Sequence, residues 1–520
     1  MPPQLLLLMI GEGGTGKSRV IQTIIQEFRR LGKEEWLIKG AFTGSAASHI
    51  EGQTIHNIAR IMVGKLNDPI SHASKQQLVK KWQPVRYLII DEFSMLSKEF
   101  LAVLSRHISI AKLGYSSDNG DFPFGGVNVL LCGDGHQILP VATSKGGALH
   151  HPTTSSRFLT TTDAGLGRKI FEWFDLAVTL KRQVQVVDPV WQGFLSRFRV
   201  GQVEAGDIEL LDSITLTNPN CRPTDFNSEK WRNCVLITPR NSVQRRWNDA
   251  AVEEHCRRTG EQMLVFDALD TCVDQGKQRP VTTEEKYASM LNSASKGNPR
   301  KGKREQNGLP DQIRIAIGMK VMVTTNINTD IDITNGARGE IVGIKLDAHE
   351  PPFSPTEPRI TLKCAPVYIL VWLNRTRVGR LLGLEPGVVP IAPVSRSYSM
   401  KVPVLQADGQ VKLISRNIKR WQFPIAPAYA FTDYKAQGQT LECAIVDIAE
   451  PPTGGRLSQP NIYVALSRCP DLDSIRILRD FDRDILRRPV DVDLMKEDER
   501  LERLNEKTLK WWNELNAEDI

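Results

Sequence analysis

Leu5-Leu-Leu-Leu-Met-Ile10-Gly11-Glu-Gly-Gly-Thr-Gly16-Lys17-Ser18 decides the fold class of this 520-residue chain. Its apolar run is far shorter than the ~20 residues a membrane helix needs and has no basic flank of a secretion signal. It reads as a strand buried on both faces, such as a parallel sheet requires. The turn that follows has the spacing G-x-x-x-x-G-K-S, and Arg19–Arg30 beyond it is amphipathic. Glycines at 11, 13, 14 and 16, with Thr15 among them, let successive backbone N–H groups wrap phosphate oxygens at a helix N-terminus. Lys17 then reaches the β and γ oxygens, and the Ser18 hydroxyl can ligate Mg²⁺. The competing spelling G-x-G-x-x-G (Gly11, Gly13, Gly16) would suit a dinucleotide fold. It would leave Lys17-Ser18 without a task, and Glu34 and Glu35 precede the next apolar run instead of ending it.

Moving outward, Tyr87-Leu-Ile-Ile-Asp91-Glu92 delivers two adjacent carboxylates to the end of another apolar strand. Beside a phosphate loop, Asp91 suits a Mg²⁺ shell and Glu92 can orient or deprotonate an attacking water. A third strand ends in Gly133-Asp134-Gly-His-Gln137, which sets Gln137 on the same sheet edge, within reach of a γ-phosphate. Apolar runs at 5–10, 36–42, 87–90 and 127–132, separated by helix-length segments, predict a mostly parallel α/β sheet. Similar runs at 234–238, 444–448 and 475–478 predict a second α/β domain. A stretch rich in β-branched residues interrupts it at 311–415. The turns Asn335-Gly336 and Asp408-Gly409 and the proline clusters at 351–358 and 390–393 suggest a small antiparallel insertion. Residues 293–308, basic and almost without apolar side chains, read as a flexible solvated loop. Near the end, Leu501, Leu504, Thr508, Trp511 or Trp512, and Leu515 share one face of a charged helix expected to dock on the body.

Composition excludes other classes. With 41% hydrophobic and 24% charged residues the chain is neither disordered nor fibrous, and no run is long enough to span a bilayer. A net charge of +7 permits contact with a polyanion without establishing it. The eight cysteines lie thirteen or more positions apart, which excludes a C-x-x-C pair and suits reduced thiols in an intracellular setting.

Taken together, the blocks resemble a known family. Gly-x-Gly-Gly-Thr-Gly-Lys-Ser, Asp-Glu-Phe-Ser-Met, Gly-Asp-x-x-Gln, Tyr429-Ala-Phe-Thr-x-x-Lys435-x-Gln437-Gly438-Gln439-Thr440 and Tyr463-Val-Ala-Leu-Ser467-Arg468 occur in the order of superfamily 1 DNA helicases. They are most similar to the Pif-type, RecD-related 5′→3′ branch, which includes the helicase half of Helitron transposons. Thr43-Gly44-Ser-Ala-Ala47 and Gly52-Gln-Thr54-Ile-His56 resemble its single-strand contact motif, and Leu180-x-Arg182-Gln183 its first arginine-finger block.

The resemblance implies two RecA-like P-loop domains with an SH3-like β insertion in the second: a first domain over 1–185, the second over 186–310 and 416–490, the insertion over 311–415, and a C-terminal helix over 491–520. It implies ATP and Mg²⁺ as cofactors, Lys17, Glu92, Gln137, Arg182 and Arg468 as catalytic, and Gly438 near the nucleotide. Single-stranded DNA and DNA forks are the expected partners, met by Thr43, Gly44, Thr54, His56, Lys435, Gln437 and Thr440. No membrane contact is expected, action as a monomer is, and the setting is nuclear or mitochondrial if the source is eukaryotic. The processes implied are DNA repair, recombination, telomere maintenance or transposition. For His56, stacking on an unpaired base competes with a structural role. A nucleic-acid-binding module without unwinding activity, or a P-loop ATPase acting on RNA, are the alternative readings.

Three departures stand out. The family's adenine-reading glutamine lies a helix upstream of the first strand, whereas ten residues precede Gly11, so that element is expected only on an upstream extension. Ala436 and Leu139 stand where the family has serine and proline, and no His-x-His motif with a nearby tyrosine supplies the strand-nicking half of a Helitron protein.

Overall fold

The computed structural model describes residues 3–62, 66, 70–114, 122–140, 146–153, 162–274, 276–287, 305–306, 309–328, 331–405, 411–450 and 457–518. The Asp408-Gly409 turn and, except for 305 and 306, the basic stretch 293–308 lie outside them. The chain divides into two units, residues 1–244 with 431–520, and residues 245–430.

In the first unit the apolar runs become parallel strands: β1 (Leu6–Gly11), β2 (Leu37–Ala41), β3 (Gln53–Thr54), β4 (Tyr87–Asp91), β5 (Asn128–Gly133) and β6 (Leu176–Leu180). Their order in the sheet is β3-β2-β4-β5-β1-β6. Alternate side chains serve opposite faces. Leu8, Ile90 and Leu131 enter a core with Phe171 and Phe174, while Met9, Ile89 and Cys132 pack with Ile21 and Ile25 of α1 (Lys17–Arg30) on the other face. Each such fully buried aliphatic contributes about 1.5–3 kcal/mol, so strands apolar throughout can only sit inside a covered sheet. Register then aligns the carboxyl ends: Ile10 pairs with Gly133, Gly11 with Leu180, and Ala41 with both Asp91 and Thr54. Every segment that leaves this edge carries one of the motifs. Later in the same unit β7 (Val235–Ile237), β8 (Ala444–Val446) and β9 (Ile475–Ile477) form a second parallel array, β8 at its centre.

The C-terminal helix (Val492–Glu518) closes the open edge of the first sheet. Asn505 Oδ1 accepts from Thr179 N and Thr508 Oγ1 from Ala177 N, both at 2.9 Å, satisfying strand donors that would otherwise invite pairing by another chain. Leu501 is buried and Leu504 packs on the same core. The expected docking face stops there: Trp511, Trp512 and Leu515 are 43%, 55% and 40% exposed. The helix runs on after β6 has run out, so its last apolar residues meet none of the sheet.

The second unit is largely β. Strands 388–391, 368–373, 338–345, 320–323 and 425–427 form an antiparallel sheet in that order. A long hairpin pairs Val394–Leu405 with Val411–Gln422. Asn335-Gly336 makes the turn before strand 338–345, with Gly336 at φ 99° and Asn335 N donating to Asn326 Oδ1 at 2.9 Å. Its residue types therefore have a structural cause. Arg420 and Asp270, both buried, form a bidentate pair at 2.7 and 2.8 Å.

Candidate nucleotide and nucleic-acid site

Helix α1 begins at Lys17 behind Gly14 and Gly16, both at φ 90°, a left-handed conformation that costs other residues about 1–2 kcal/mol. Its first turn carries no acidic side chain, so the N-terminal N–H groups and the helix dipole face outward uncompensated. The Lys17 ammonium curls back to donate to Gly11 O at 2.6 Å and Glu12 O at 2.9 Å. Thr15 Oγ1 donates to Glu12 O at 2.9 Å and fixes the curve of the loop.

Three further segments converge on this loop. A Cβ at Gly13 would lie 3.0 Å from Arg468 Nη2 and 3.1 Å from Gln137 Nε2, so side chains 331 residues apart in sequence meet at one glycine. Arg468 is 2% exposed. Its guanidinium donates to Val464 O at 2.7 Å, Gln439 O at 3.3 Å and Ser467 Oγ at 2.6 Å, all neutral, and no described carboxylate pairs with it. Burial pushes its pKa below the ordinary value, partly countered by Tyr463 and Glu92. A buried charge without a counter-ion is costly, and the loop beside it is built to hold anions. Gln137 is buried with its Oε1 unpartnered.

The third segment is 183–185, which follows β6. Gln183 Nε2 donates to Gly13 O at 2.8 Å, and Val184 N to Gly14 O at 3.0 Å. Gln185 Nε2 reaches Arg468 O at 3.2 Å. These contacts stitch the loop to the Arg468 turn. Arg182 is the residue expected from this block, yet it is exposed and no described residue pairs with it, while its neighbour Gln183 makes the loop contact. Adjacency to Arg182 was the only available signal.

At the end of β4, Asp91 is buried and its Oδ1 accepts from Glu92 N at 3.0 Å. Burial, then the adjacent Glu92, push the Asp91 carboxyl well above the usual range, with Lys17 opposing. Glu92 itself sits at φ 57°, strained for a non-glycine residue. Its Oε2 accepts from Gln437 Nε2 at 2.8 Å, and a Cβ at Gly438 would lie 3.6 Å from Oε1. The Gln437-Gly438 turn is thus brought onto the carboxylate expected to handle water. Gln437 Oε1, buried, has no partner.

A residue the sequence did not signal anchors the Gln137 turn. Arg199, from helix Pro189–Arg199, donates to Asp134 Oδ1 at 2.5 Å, and His136 N does so at 3.1 Å. Burial raises the Asp134 pKa, but Arg199, His136 and Lys17 outweigh it and hold the carboxyl at about 2. Nearby Glu12 is pushed up, by burial first and also by Asp134.

The residues expected to touch a strand flank β2 and β3. Thr43 caps the helix Gly44–His49 by accepting from Ala46 N at 3.2 Å, and Gly44 is buried in its first turn. Thr54 caps the next helix, Ile55–Ala59, without a side-chain bond. His56 lies between Phe42 and Phe100, ring centroids 5.2 and 4.9 Å away, and burial lowers its pKa. That packing gives the imidazole a structural occupation. Lys435 is half-buried and Thr440 exposed in the Gln437 turn.

The chain is also similar to known proteins. Residues 3–159 match the family described as PIF1-like helicase. The chain is 25% identical over 497 residues to the ATP-dependent DNA helicase PIF1 of Danio rerio, covering 95% of this chain and 61% of that protein. It is 24% identical over 517 residues to the ATP-dependent DNA helicase RRM3 of Saccharomyces cerevisiae, covering 90% and 62%. The chain therefore spans about three-fifths of the curated relatives it matches. Among solved structures it resembles Pif1 helicase from Candida albicans, with TM-score 0.62 and 21% identity over 96% of this chain and 95% of that one. Bacteroides Pif1 bound to single-stranded DNA gives 0.59 and 19% over 96% and 93%. The parallel sheets and these likenesses agree on two RecA-like domains.

Proposed function

We propose that this chain is a helicase of the Pif1 type within superfamily 1, an ATP-driven motor that moves 5′→3′ along single-stranded DNA and opens duplexes at forks. The observation that carries the reading is the meeting of Gln137 and Arg468 at Gly13, in the loop whose carbonyls hold Lys17, with Arg468 buried and paired with no described carboxylate. A bound triphosphate supplies the missing anion. Lys17 exchanges two loop carbonyls for phosphate oxygens, and the Arg468 guanidinium stabilises charge developing on the γ-phosphate, the positioning and electrostatic work that phosphoryl transfer needs. Glu92 orients the attacking water. Arg182, exposed, is the second cation proposed for the same phosphate.

Mg²⁺ fits the donor set: Ser18 lies in the first turn of α1, and Asp91 is a buried carboxylate whose raised pKa a cation would reverse. Bound there, the ion would offset phosphate charge during transfer.

The Glu92–Gln437 bond supports coupling, since hydrolysis at one end alters the turn that carries Lys435 and Thr440 at the other. Thr43, Gly44 and Thr54 complete the proposed strand path, with His56 packed on Phe42 and Phe100 beside them, and the chain acts as a monomer. Relatives named ATP-dependent DNA helicase and a Pif1 structure bound to single-stranded DNA support DNA as the track, and the proposed setting is DNA repair, recombination, telomere maintenance or transposition.

The test is unwinding of duplexes bearing a 5′ or a 3′ single-stranded tail, with Mg²⁺ and ATP, for this chain and Lys17→Ala. Unwinding confined to the 5′-tailed duplex and lost in the variant is expected. Binding without unwinding would favour a nucleic-acid-binding module, and stimulation by RNA alone would favour an RNA-directed ATPase.

A further inference from the structure

Away from the phosphate loop, two adjacent imidazoles meet a carboxylate. His150 and His151 belong to the segment following β5 and the Gln137 turn, and Asp491 lies immediately before the C-terminal helix (Val492–Glu518). One ligand atom of each lies within 4.8 Å of the others. His151 Nε2 is 3.4 Å from Asp491 Oδ2, the edge of a tetrahedron with bonds of about 2.1 Å. His151 Nδ1, its other nitrogen, is 3.4 Å from Asp493 Oδ2. A carboxylate on the far nitrogen of a ligating histidine fixes ring orientation and raises ligand basicity in metal sites. His150 is 8% exposed and its Nε2 has no hydrogen-bond partner among the described residues, an expensive state for a buried polar atom.

We propose that His150, His151 and Asp491 form a binding site for a divalent cation of the zinc class, with Asp493 orienting His151 from behind. Two imidazoles and one carboxylate are the donor set that zinc takes with a fourth position open to water. Its place is mechanical: it ties the segment after the Gln137 turn to the start of the helix that closes the sheet edge, independently of nucleotide.

The experiment titrates the full chain, stripped with a chelator and free of nucleotide, with Zn²⁺ alone against a chromophoric competitor. Parallel titrations use His151→Gln, Asp491→Asn and Asp493→Asn, with circular dichroism to confirm the fold. One equivalent bound by the unaltered chain and absent from the first two variants is expected, as is a 10–100-fold loss of affinity in Asp493→Asn. Should His151→Gln fail to fold, the exposed Asp491 carries the comparison. Co²⁺ added to the unaltered chain gives an independent readout, the intense visible bands of a four- or five-coordinate ion. Equal zinc binding by all variants, no tight equivalent in the unaltered chain, or a weak six-coordinate cobalt spectrum would overturn the proposal and leave His150 as a lining residue of the small cavity it shares with Ser94.

Discussion

Replacing Arg468 by glutamine separates a catalytic arginine from a structural one. The side chain makes three hydrogen bonds to neutral oxygens and none to a carboxylate. Hydrogen bonds from a charged donor contribute about 1.5–3 kcal/mol each, so their loss costs roughly 5–9 kcal/mol before glutamine recovers one or two. Against that stands relief of the desolvation of a buried ion, several kcal/mol. The two nearly cancel, and the melting temperature should move by only a few degrees. Catalysis has no such compensation. A guanidinium placed on the transferring phosphoryl is worth a factor of about 10³–10⁵, or about 4–7 kcal/mol. Arg468→Gln should therefore melt like the parent, bind fluorescent ADP with affinity within about tenfold, and hydrolyse ATP at least a thousandfold more slowly with single-stranded DNA present. Arg468→Lys should recover little, because a point charge cannot hold Val464 O and reach Gly13 at once. The reasoning fails if Arg468→Gln keeps more than a tenth of the parent rate, or if it unfolds outright.

Three further outcomes follow from the same geometry. Gly14→Ala places a methyl 2.2 Å from Gln183 Oε1 and 2.6 Å from Gln185 Cβ at φ 90°; a cost of about 2–4 kcal/mol is expected, read as loss of ADP binding at concentrations that saturate the parent. Gln437→Ala removes the bond to Glu92 Oε2 and should lower DNA-stimulated hydrolysis by about 10–100-fold while leaving DNA affinity within a few-fold by fluorescence anisotropy. Asp134, held at about 2 in the fold against about 3.9 when unfolded, contributes about 2–3 kcal/mol that is complete above pH 4 and is lost as pH falls toward 2. Asp134→Asn should remove that acid limb from a denaturant series and, by stranding Arg199, destabilise the chain at neutral pH by about 3–5 kcal/mol.

What could be read in advance follows from range in the sequence. The first sheet was legible because its strands are apolar throughout and parallel register carries every motif to one edge, so Gly11, Asp91 and Gln137 could be placed from local spelling alone. The pairings that span 65 to 345 residues are not written locally. Arg199 carries no signal of its bond to Asp134, and although Gln183 and Gln437 stand in blocks that the sequence sets apart, their bonds to Gly13 and Glu92 depend on how the segments fold back. For His56 the aromatic partners Phe42 and Phe100 are fourteen and forty-four positions away, too far for periodicity to show. The C-terminal helix misled in the opposite direction. Its apolar face continues in sequence to Leu515, but the strand it covers ends first.

The most direct test of the central claim is the steady-state rate of ATP hydrolysis with Mg²⁺, with and without single-stranded DNA, for this chain and Glu92→Gln. Strong stimulation by DNA that vanishes in the variant is the expected result. A rate that DNA does not change, or one that survives the loss of Glu92, would contradict the account.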